Sequence, residues 1–181
     1  MKKLLIIILG IFMVISLDAC SGNQINSNKQ NSAESSAVGK STSTAGNIPK
    51  GSNMSTRTIK NGTAITLTVG NKVISATLNN STSSKELLSR LPYTVHLNRF
   101  DHDYCGVMKN PLKYDEKDVH NGWLDGDIDF ATDGKYFTVL FENQENSKKY
   151  GYQVNMGKVD GDLSVIKGLG SSIDVKVDLK R

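Results

Sequence analysis

A length of 181 residues allows one domain with accessory segments and leaves little room for a second domain. The chain carries 22 Lys and Arg residues against 18 Asp and Glu residues, a net charge of +4, which is far short of the dense basic surface that nucleic-acid binding requires. The length therefore favours a single domain in this chain, and the charge argues against a nucleic-acid partner.

The amino terminus has the pattern of a secretory signal. Lys2 and Lys3 precede an apolar run over residues 4–17 that only Gly10 and Ser16 interrupt. A run of about 14 residues is too short for a membrane-spanning helix, which needs about 20, and it suits the apolar region of a signal peptide. We therefore expect the protein to be exported.

The residues that follow predict a lipid anchor. Residues 17–20 read Leu-Asp-Ala-Cys, which resembles the lipobox of bacterial lipoproteins, where cleavage precedes a cysteine whose sulfur carries diacylglycerol. Asp18 departs from the small or hydroxyl residue that is usual there. The resemblance implies a signal peptide over residues 1–19, a lipidated Cys20 and an extracytoplasmic protein anchored to the cell membrane, or to the outer membrane if the cell has one. An uncleaved anchor and an ordinary signal peptide are the alternatives.

A polar segment separates this anchor from the rest of the chain. Residues 20–57 are mostly Ser, Asn, Thr, Gly, Gln, Ala and Lys, a composition that cannot offset the entropy lost on folding. We expect a disordered tether there and one domain over residues 58–181. Once Cys20 carries lipid, Cys105 is the only cysteine left, so the exported domain has no intrachain disulfide.

The domain is dominated by the alternation of apolar and polar residues that is typical of half-buried strands. Residues 65–78 alternate on both sides of Gly70-Asn71, which predicts a β-hairpin. Residues 128–141 predict a second hairpin around a Thr-Asp-Gly turn, with Ile128 and Phe130 facing inward between two aspartates. Residues 93–98 and 173–179 alternate in the same way and predict single strands.

Two short helices are expected between the strands. Ser83 and Glu86 have the spacing of a capping box, and Pro92 stops the helix whose apolar stripe is Leu87, Leu88 and Leu91. Residues 163–169 suit a second helix that ends at a glycine. Many short strands with two short helices predict a mainly β fold, a closed barrel, because closure removes exposed sheet edges.

Several segments in a fixed order resemble the cyclophilin-like domain family, which is found as small bacterial proteins. They are residues 68–72, 86–92, 125–128, 137–141 and 156–159. The likeness extends from about Ile65 to Leu179. It implies a compact cyclophilin-like β-barrel flanked by two helices, in a family whose own activity is mostly undefined.

Cyclophilins that are prolyl isomerases grip an X-Pro peptide in an apolar groove, and an arginine stabilises the twisted amide against a barrier of about 18–20 kcal/mol. The resemblance places Gly106 where these enzymes carry the arginine. It places Tyr136 and Thr138 at the groove glutamine and phenylalanine, and Gln153 at the groove histidine. Efficient isomerisation is therefore not expected. The groove implied here is lined by Tyr104, Gly106, Met108, Tyr136, Thr138 and Gln153.

Other chemistry-bearing residues give weaker patterns. His102 and Cys105, with Asp101 and Asp103 beside them, are metal-ligand types, but their spacing matches no defined site and favours a solvated turn. Cys105 could act as a nucleophile with His102 or His120 as the base, although a lone cysteine is more often a small core residue. Three aromatic residues either line a binding surface or cap the barrel: Trp123, Tyr150 and Tyr152.

These observations predict a membrane-tethered binding module for a peptide or a small ligand, without efficient isomerase activity. The alternative is a weak peptidyl-prolyl isomerase that assists the folding of secreted proteins. A purely structural or interaction domain without a groove is the third possibility. No cofactor and no metal are expected. The expected partners are the membrane, through the lipid, and a peptide or small molecule bound by a monomer.

Overall fold

The structure of the protein is a computed structural model that describes residues 53–181. The predicted signal peptide, Cys20 and nearly all of the predicted tether lie outside the described residues. Within residues 53–181, no helix is long and apolar enough to cross a membrane.

The described residues form nine strands and two short α-helices. The strands are β1 (Thr63–Val69), β2 (Lys72–Leu78), β3 (Tyr93–Arg99), β4 (Asp103–Val107), β5 (Val119–Asn121), β6 (Asp127–Ala131), β7 (Tyr136–Leu140), β8 (Tyr152–Val159) and β9 (Ser172–Leu179). The helices are α1 (Thr82–Ser89) and α2 (Ser164–Lys167), and two 3-10 helices cover Glu116–Asp118 and Gln144–Lys149.

The sheet closes into an antiparallel barrel. Its strands follow the order β2-β1-β9-β3-β4-β7-β6-β8, and β8 pairs back to β2, with Val159 opposite Ala76 and Gly157 opposite Leu78. The short strand β5 is added to β8 through the pairing of Val119 with Val154. Eight strands therefore satisfy one another's backbone groups around the ring, and the predicted closed, mainly β barrel is confirmed.

Alternate residues of the strands fill the interior. Val95 and Leu97 of β3 are buried, while Thr94, His96 and Asn98 face outward, as the sequence predicted. The same alternation holds in the last strand for Ile173, Val175 and Val177. The largest fully buried side chains are Tyr104, Phe130, Phe137, Phe141, Ile65, Leu67, Leu78, Leu87, Leu97, Met108, Ile128 and Leu140.

Both predicted hairpins are present. The β1–β2 turn consists of Gly70 and Asn71, and Gly70 has φ +57°, a conformation that glycine adopts without a steric penalty. In the β6–β7 hairpin Phe130 lies opposite Phe137 inside the barrel. The second helix, α2, also lies where the sequence predicted it, ends at Gly168 and buries Ile166.

The start of α1 differs from the prediction. Its N-cap is Ser81, whose hydroxyl accepts a hydrogen bond from the Ser84 amide at 3.2 Å, and not Ser83. Ser83 is fully buried, and its hydroxyl donates to the Lys113 carbonyl at 2.9 Å. Glu86 is therefore not part of a capping box but accepts hydrogen bonds from Arg90 and from the Lys113 amide. A local spacing pattern cannot distinguish two serines that both precede an apolar turn.

The chain joins the barrel before the expected boundary at residue 58. The Leu163 amide donates to the Asn53 carbonyl at 2.8 Å, and the Asn53 side-chain amide donates to Asp162 at 2.9 Å. The Arg57 guanidinium pairs with Asp127 of β6. Residues 53–57 thus contribute contacts to the domain, although their composition gave no sign of it.

Candidate functional site

The outer face of strands β4, β7, β6 and β8 carries the residues from which the site is built. In these strands residues that lie opposite one another form rows across the sheet. One row is Cys105, Thr138, Asp129 and Asn155, and the next is Val107, Tyr136, Ala131 and Gln153. The loop at residues 121–125 contacts this face, because the Gln153 side-chain amide donates to the Gly122 carbonyl at 2.9 Å.

Three of the six predicted groove residues face the opposite way, into the barrel. Tyr104 and Met108 are each 1 % exposed and belong to the hydrophobic core. Gly106 lies between them on the same face, and a Cβ atom built there would overlap the carbonyl oxygen of His96. The prediction was wrong for β4 because an offset of one residue moves a side chain to the other face of a strand. The outward-facing residues at this level are Cys105 and Val107.

The other three predicted groove residues, Tyr136, Thr138 and Gln153, do come together. They line a cleft of about 140 Å³ on the outer face. His102, Trp123, Tyr150 and Tyr152 line the same cleft, which we call the aromatic cleft. Thr138 and Gln153 are nearly buried at its floor, whereas Tyr152 is 60 % exposed.

A packed aromatic group forms one wall of the aromatic cleft. The rings of His102 and Trp123 are stacked with centroids 5.0 Å apart, and the Tyr150 ring lies 4.5 Å from His102 and 5.2 Å from Trp123. The Trp123 indole N–H donates to the Glu142 carbonyl at 3.0 Å, so its polar group is satisfied. These contacts fix the wall in one arrangement. The sequence left open whether Trp123, Tyr150 and Tyr152 line a surface or cap the barrel, and all three line this cleft.

Two groups at the β4 side of the cleft have perturbed acid–base properties. Burial raises the pKa of the Asp103 carboxyl to about 6, and the nearby His102 opposes that shift. Burial, and then the charge of Asp103, raises the pKa of the Cys105 thiol to about 12. A thiol with so high a pKa stays protonated at neutral pH and is a poor nucleophile. Cys105 is half-buried and faces outward, so it is not the core residue that the sequence favoured.

A larger polar cleft of about 520 Å³ lies between α1 and the 3-10 helix at residues 116–118. Arg57, Lys85 and Lys117 line it together with Asp115 and Asp118. His120 and Asn155 also contribute to its wall. Because acidic and basic side chains are mixed along its lining, the charges of this polar cleft favour neither an anion nor a cation as its ligand. Among residues 53–181, no group of three or more His, Cys, Asp or Glu side chains is arranged to hold a metal ion.

Two buried carboxylates lie behind the polar cleft, and no sequence pattern indicated that they are buried. Asp127 and Asp129 are both 0 % exposed on the outer face of β6. Arg57 binds Asp127 through two hydrogen bonds of 2.5 and 2.6 Å, and the Leu124 amide donates to it at 2.8 Å. The Asn155 side chain donates to one oxygen of Asp129 at 2.8 Å.

The other oxygen of Asp129, Oδ2, has no hydrogen-bond partner among the described residues. Burial, and then the negative charge of Asp127, raises the pKa of Asp129 well above its usual value. These effects favour the neutral carboxyl form, which avoids the high cost of an unpaired charge in the protein interior.

Comparison with known proteins identifies a family and a fold. A model described as the cyclophilin-like family matches residues 67–179. No curated protein matches the chain. The solution structure of the hypothetical protein AF2241 from Archaeoglobus fulgidus is similar, with a TM-score of 0.54 and 13 % sequence identity over 66 % of this chain and 95 % of that one. At this identity the similarity concerns the fold alone.

Proposed function

The chain belongs to the cyclophilin-like family, and on that premise we propose that it is a membrane-tethered, extracytoplasmic binding module whose aromatic cleft holds a peptide or a small ligand. The observation that carries the proposal is the convergence of Tyr136, Thr138 and Gln153 with an ordered aromatic wall in one concave site. Concave sites lined by aromatic residues with a few polar groups are typical of ligand binding.

The tether belongs to the same proposal and rests on the sequence. Lys2, Lys3, the apolar run and Ala19-Cys20 support cleavage before Cys20 and attachment of lipid to its sulfur. Mass spectrometry of the membrane fraction tests this step. A mature protein that begins at a lipid-modified Cys20 is the expected result, with Cys20→Ser releasing the protein from the membrane. Residues before Cys20 or an unmodified thiol would contradict it.

The aromatic cleft lacks the group that efficient prolyl isomerisation requires. Among the described residues that line it, none is Lys or Arg, so no permanently charged donor faces a bound amide. Loss of one donor aimed at a transition state lowers a rate by about 10²–10³. We therefore expect isomerisation of X-Pro peptides to be slower than that of an authentic cyclophilin by at least about this factor.

The binding proposal is tested on the complete chain with a library of short peptides and small molecules. We expect at least one ligand whose affinity falls in Tyr136→Ala, because that ring is half-buried in the cleft wall. Val73→Ala is the matched control, since Val73 is 66 % exposed on β2 and lies outside the cleft. Ligands that bind Tyr136→Ala and the unchanged protein equally would place the site elsewhere.

A protease-coupled peptide assay separates binding from catalysis. The weak-isomerase alternative predicts a rate that rises in proportion to protein concentration and falls in Tyr136→Ala. A rate equal to that of an authentic cyclophilin would contradict a binding module without efficient isomerase activity.

A further inference from the structure

Among the described residues, the side chains of Asp and Glu type that line the aromatic cleft are not accompanied there by a lysine or an arginine. Asp103 and Asp133 line it, and within the described chain no Lys or Arg does so. An adjoining cleft of about 300 Å³ shares His102 and Tyr150 with it and adds the acidic side chains Asp101, Glu142 and Glu145. Lys167 offsets one of these charges, because its ammonium group lies 3.9 Å from the Glu142 carboxylate. The remaining carboxylates make this surface negative in a chain whose net charge is +4.

The Asp103 carboxylate lines the cleft and has no hydrogen-bond partner among the described residues. It is half-buried at the β4 side of the cleft. Within residues 53–181, the carboxylate of Asp133 accepts a hydrogen bond from the Gly134 amide alone, at 2.8 Å. Both carboxylates thus keep free lone pairs, which a charged donor from outside the protein can use.

Aromatic rings are the second element of the site. Trp123, Tyr136, Tyr150 and Tyr152 line the cleft, and Tyr150 and Tyr152 are exposed at its mouth. The faces of Trp and Tyr rings attract cations, and clefts that combine such rings bind quaternary ammonium and related groups. An inorganic metal ion would instead need a cluster of ligating side chains, and residues 53–181 contain none of three or more.

We propose that the aromatic cleft binds an organic cation, an ammonium or guanidinium group, with aromatic faces around it and the carboxylates of Asp103 and Asp133 beside it. This inference rests on the proposed binding function and names the class of ligand. A volume of about 140 Å³ suits a single head group, since sites for drug-sized ligands run to roughly 300–1,000 Å³. The remainder of the ligand lies toward the adjoining acidic cleft. The cation is either a free small molecule or the side chain of a peptide.

The structure provides a direct signal for the test, because Trp123 is the single tryptophan of the chain. The complete chain, purified in a non-ionic detergent, is titrated with choline while Trp123 fluorescence is followed, and equilibrium dialysis with labelled choline measures binding independently. The neutral isostere 3,3-dimethylbutanol is titrated at the same ionic strength. Acetylated arginine amide and the matching citrulline compound form a second pair, which represents a peptide side chain.

We expect the cation of at least one pair to bind and its neutral partner to bind at least about tenfold more weakly. Tighter binding of choline than of arginine amide would indicate a free small cation, and the reverse a peptide side chain. Asp103→Asn and Tyr152→Leu should each weaken cation binding by about tenfold. Asp174→Asn is the control, because Asp174 is an exposed carboxylate on β9 whose side chain is 73 % exposed.

Equal binding of a cation and its neutral isostere, or unchanged binding in both cleft variants, would overturn the inference. Failure of the inference and failure of the proposed function give different results. If uncharged peptides bind in a way that depends on Tyr136 and the cations do not compete, the cleft is a binding site for another class of ligand. If neither cations nor peptides bind, both proposals are wrong.

Discussion

Replacing Arg57 tests whether the segment before residue 58 stabilises the barrel. Arg57→Met removes the guanidinium that binds the fully buried carboxylate of Asp127 through bonds of 2.5 and 2.6 Å. Methionine keeps an unbranched stem, so most of the packing of the side chain is preserved. The change in stability therefore reflects mainly the Asp127 charge, which the substitution leaves without its partner.

The structure gives the expected size of the effect. Removing one partner of a buried ion pair costs about 3–5 kcal/mol, because the remaining charge is buried without compensation. The lower end applies here, since the Arg57 side chain is 26 % exposed and the Leu124 amide still donates to Asp127. A loss of about 3 kcal/mol is a large part of a total stability of about 5–15 kcal/mol. For a domain of this size it lowers Tm by about 10 °C.

Urea unfolding and thermal melting of the complete chain measure the loss. Lys176→Met is the control: Lys176 pairs with Asp178 at 3.1 Å, but their side chains are 52 % and 31 % exposed, so solvent screens that pair and its loss should change stability little. Asp127→Asn combined with Arg57→Met should recover part of the loss, because it removes the unpaired charge. If Arg57→Met is no less stable than Lys176→Met, the buried pair contributes little to the stability of the barrel.

Three further outcomes follow from the packing and the charges. Gly106→Ala should destabilise the domain by roughly 1–3 kcal/mol or prevent folding, because the added methyl group would overlap backbone atoms of His96. Thermal melting followed by circular dichroism measures this loss. Phe137→Ala should lower the free energy of unfolding, measured in urea, by about 3–5 kcal/mol. Phe100→Ala should lower it little, because Phe100 is 54 % exposed. Cation binding should weaken as the pH falls through about 6, where the Asp103 carboxyl gains a proton, and should be flat above pH 7. The same titration on Asp103→Asn shows which part of the change belongs to Asp103.

The strands could be predicted from the sequence because a half-buried strand shows alternating apolar and polar residues along its own length. Val95 and Leu97 alternate with polar residues, and a barrel with one filled interior buries one face of such a strand. The turn at Gly70 could be placed for the same reason, since a two-residue hairpin needs a residue that tolerates a positive φ. Both inferences depend on neighbouring residues alone.

The burial of Asp127 and Asp129 could not be predicted in this way. Alternation showed that both face away from the core, but it contains no information on what covers the outer face. The cover includes Arg57, which is 70 residues away in the chain. The residues around Arg57 are mostly polar, and nothing near Arg57 in the sequence indicates that its partner lies so far along the chain.

The resemblance pointed to residues of the cleft on some strands and to core residues on another. On β7 and β8 the resemblance pointed to Tyr136, Thr138 and Gln153, and these three residues line one cleft. On β4 it pointed to Tyr104 and Met108, which are in the core. Sequence similarity does not determine which face of a strand a residue occupies, because an alignment that is offset by one residue places every side chain on the opposite face.

The row that joins Cys105, Thr138, Asp129 and Asn155 connects the two clefts, because Thr138 lines the aromatic cleft and Asn155 lines the polar cleft. Asp129 lies between them and is fully buried, and the upward shift of its pKa favours the neutral form. A neutral carboxyl places no net charge behind either cleft. The charge of Asp127 is likewise balanced by Arg57. The negative character of the aromatic cleft therefore comes from its own lining, and it depends on Asp103 and Asp133 rather than on the buried carboxylates of β6.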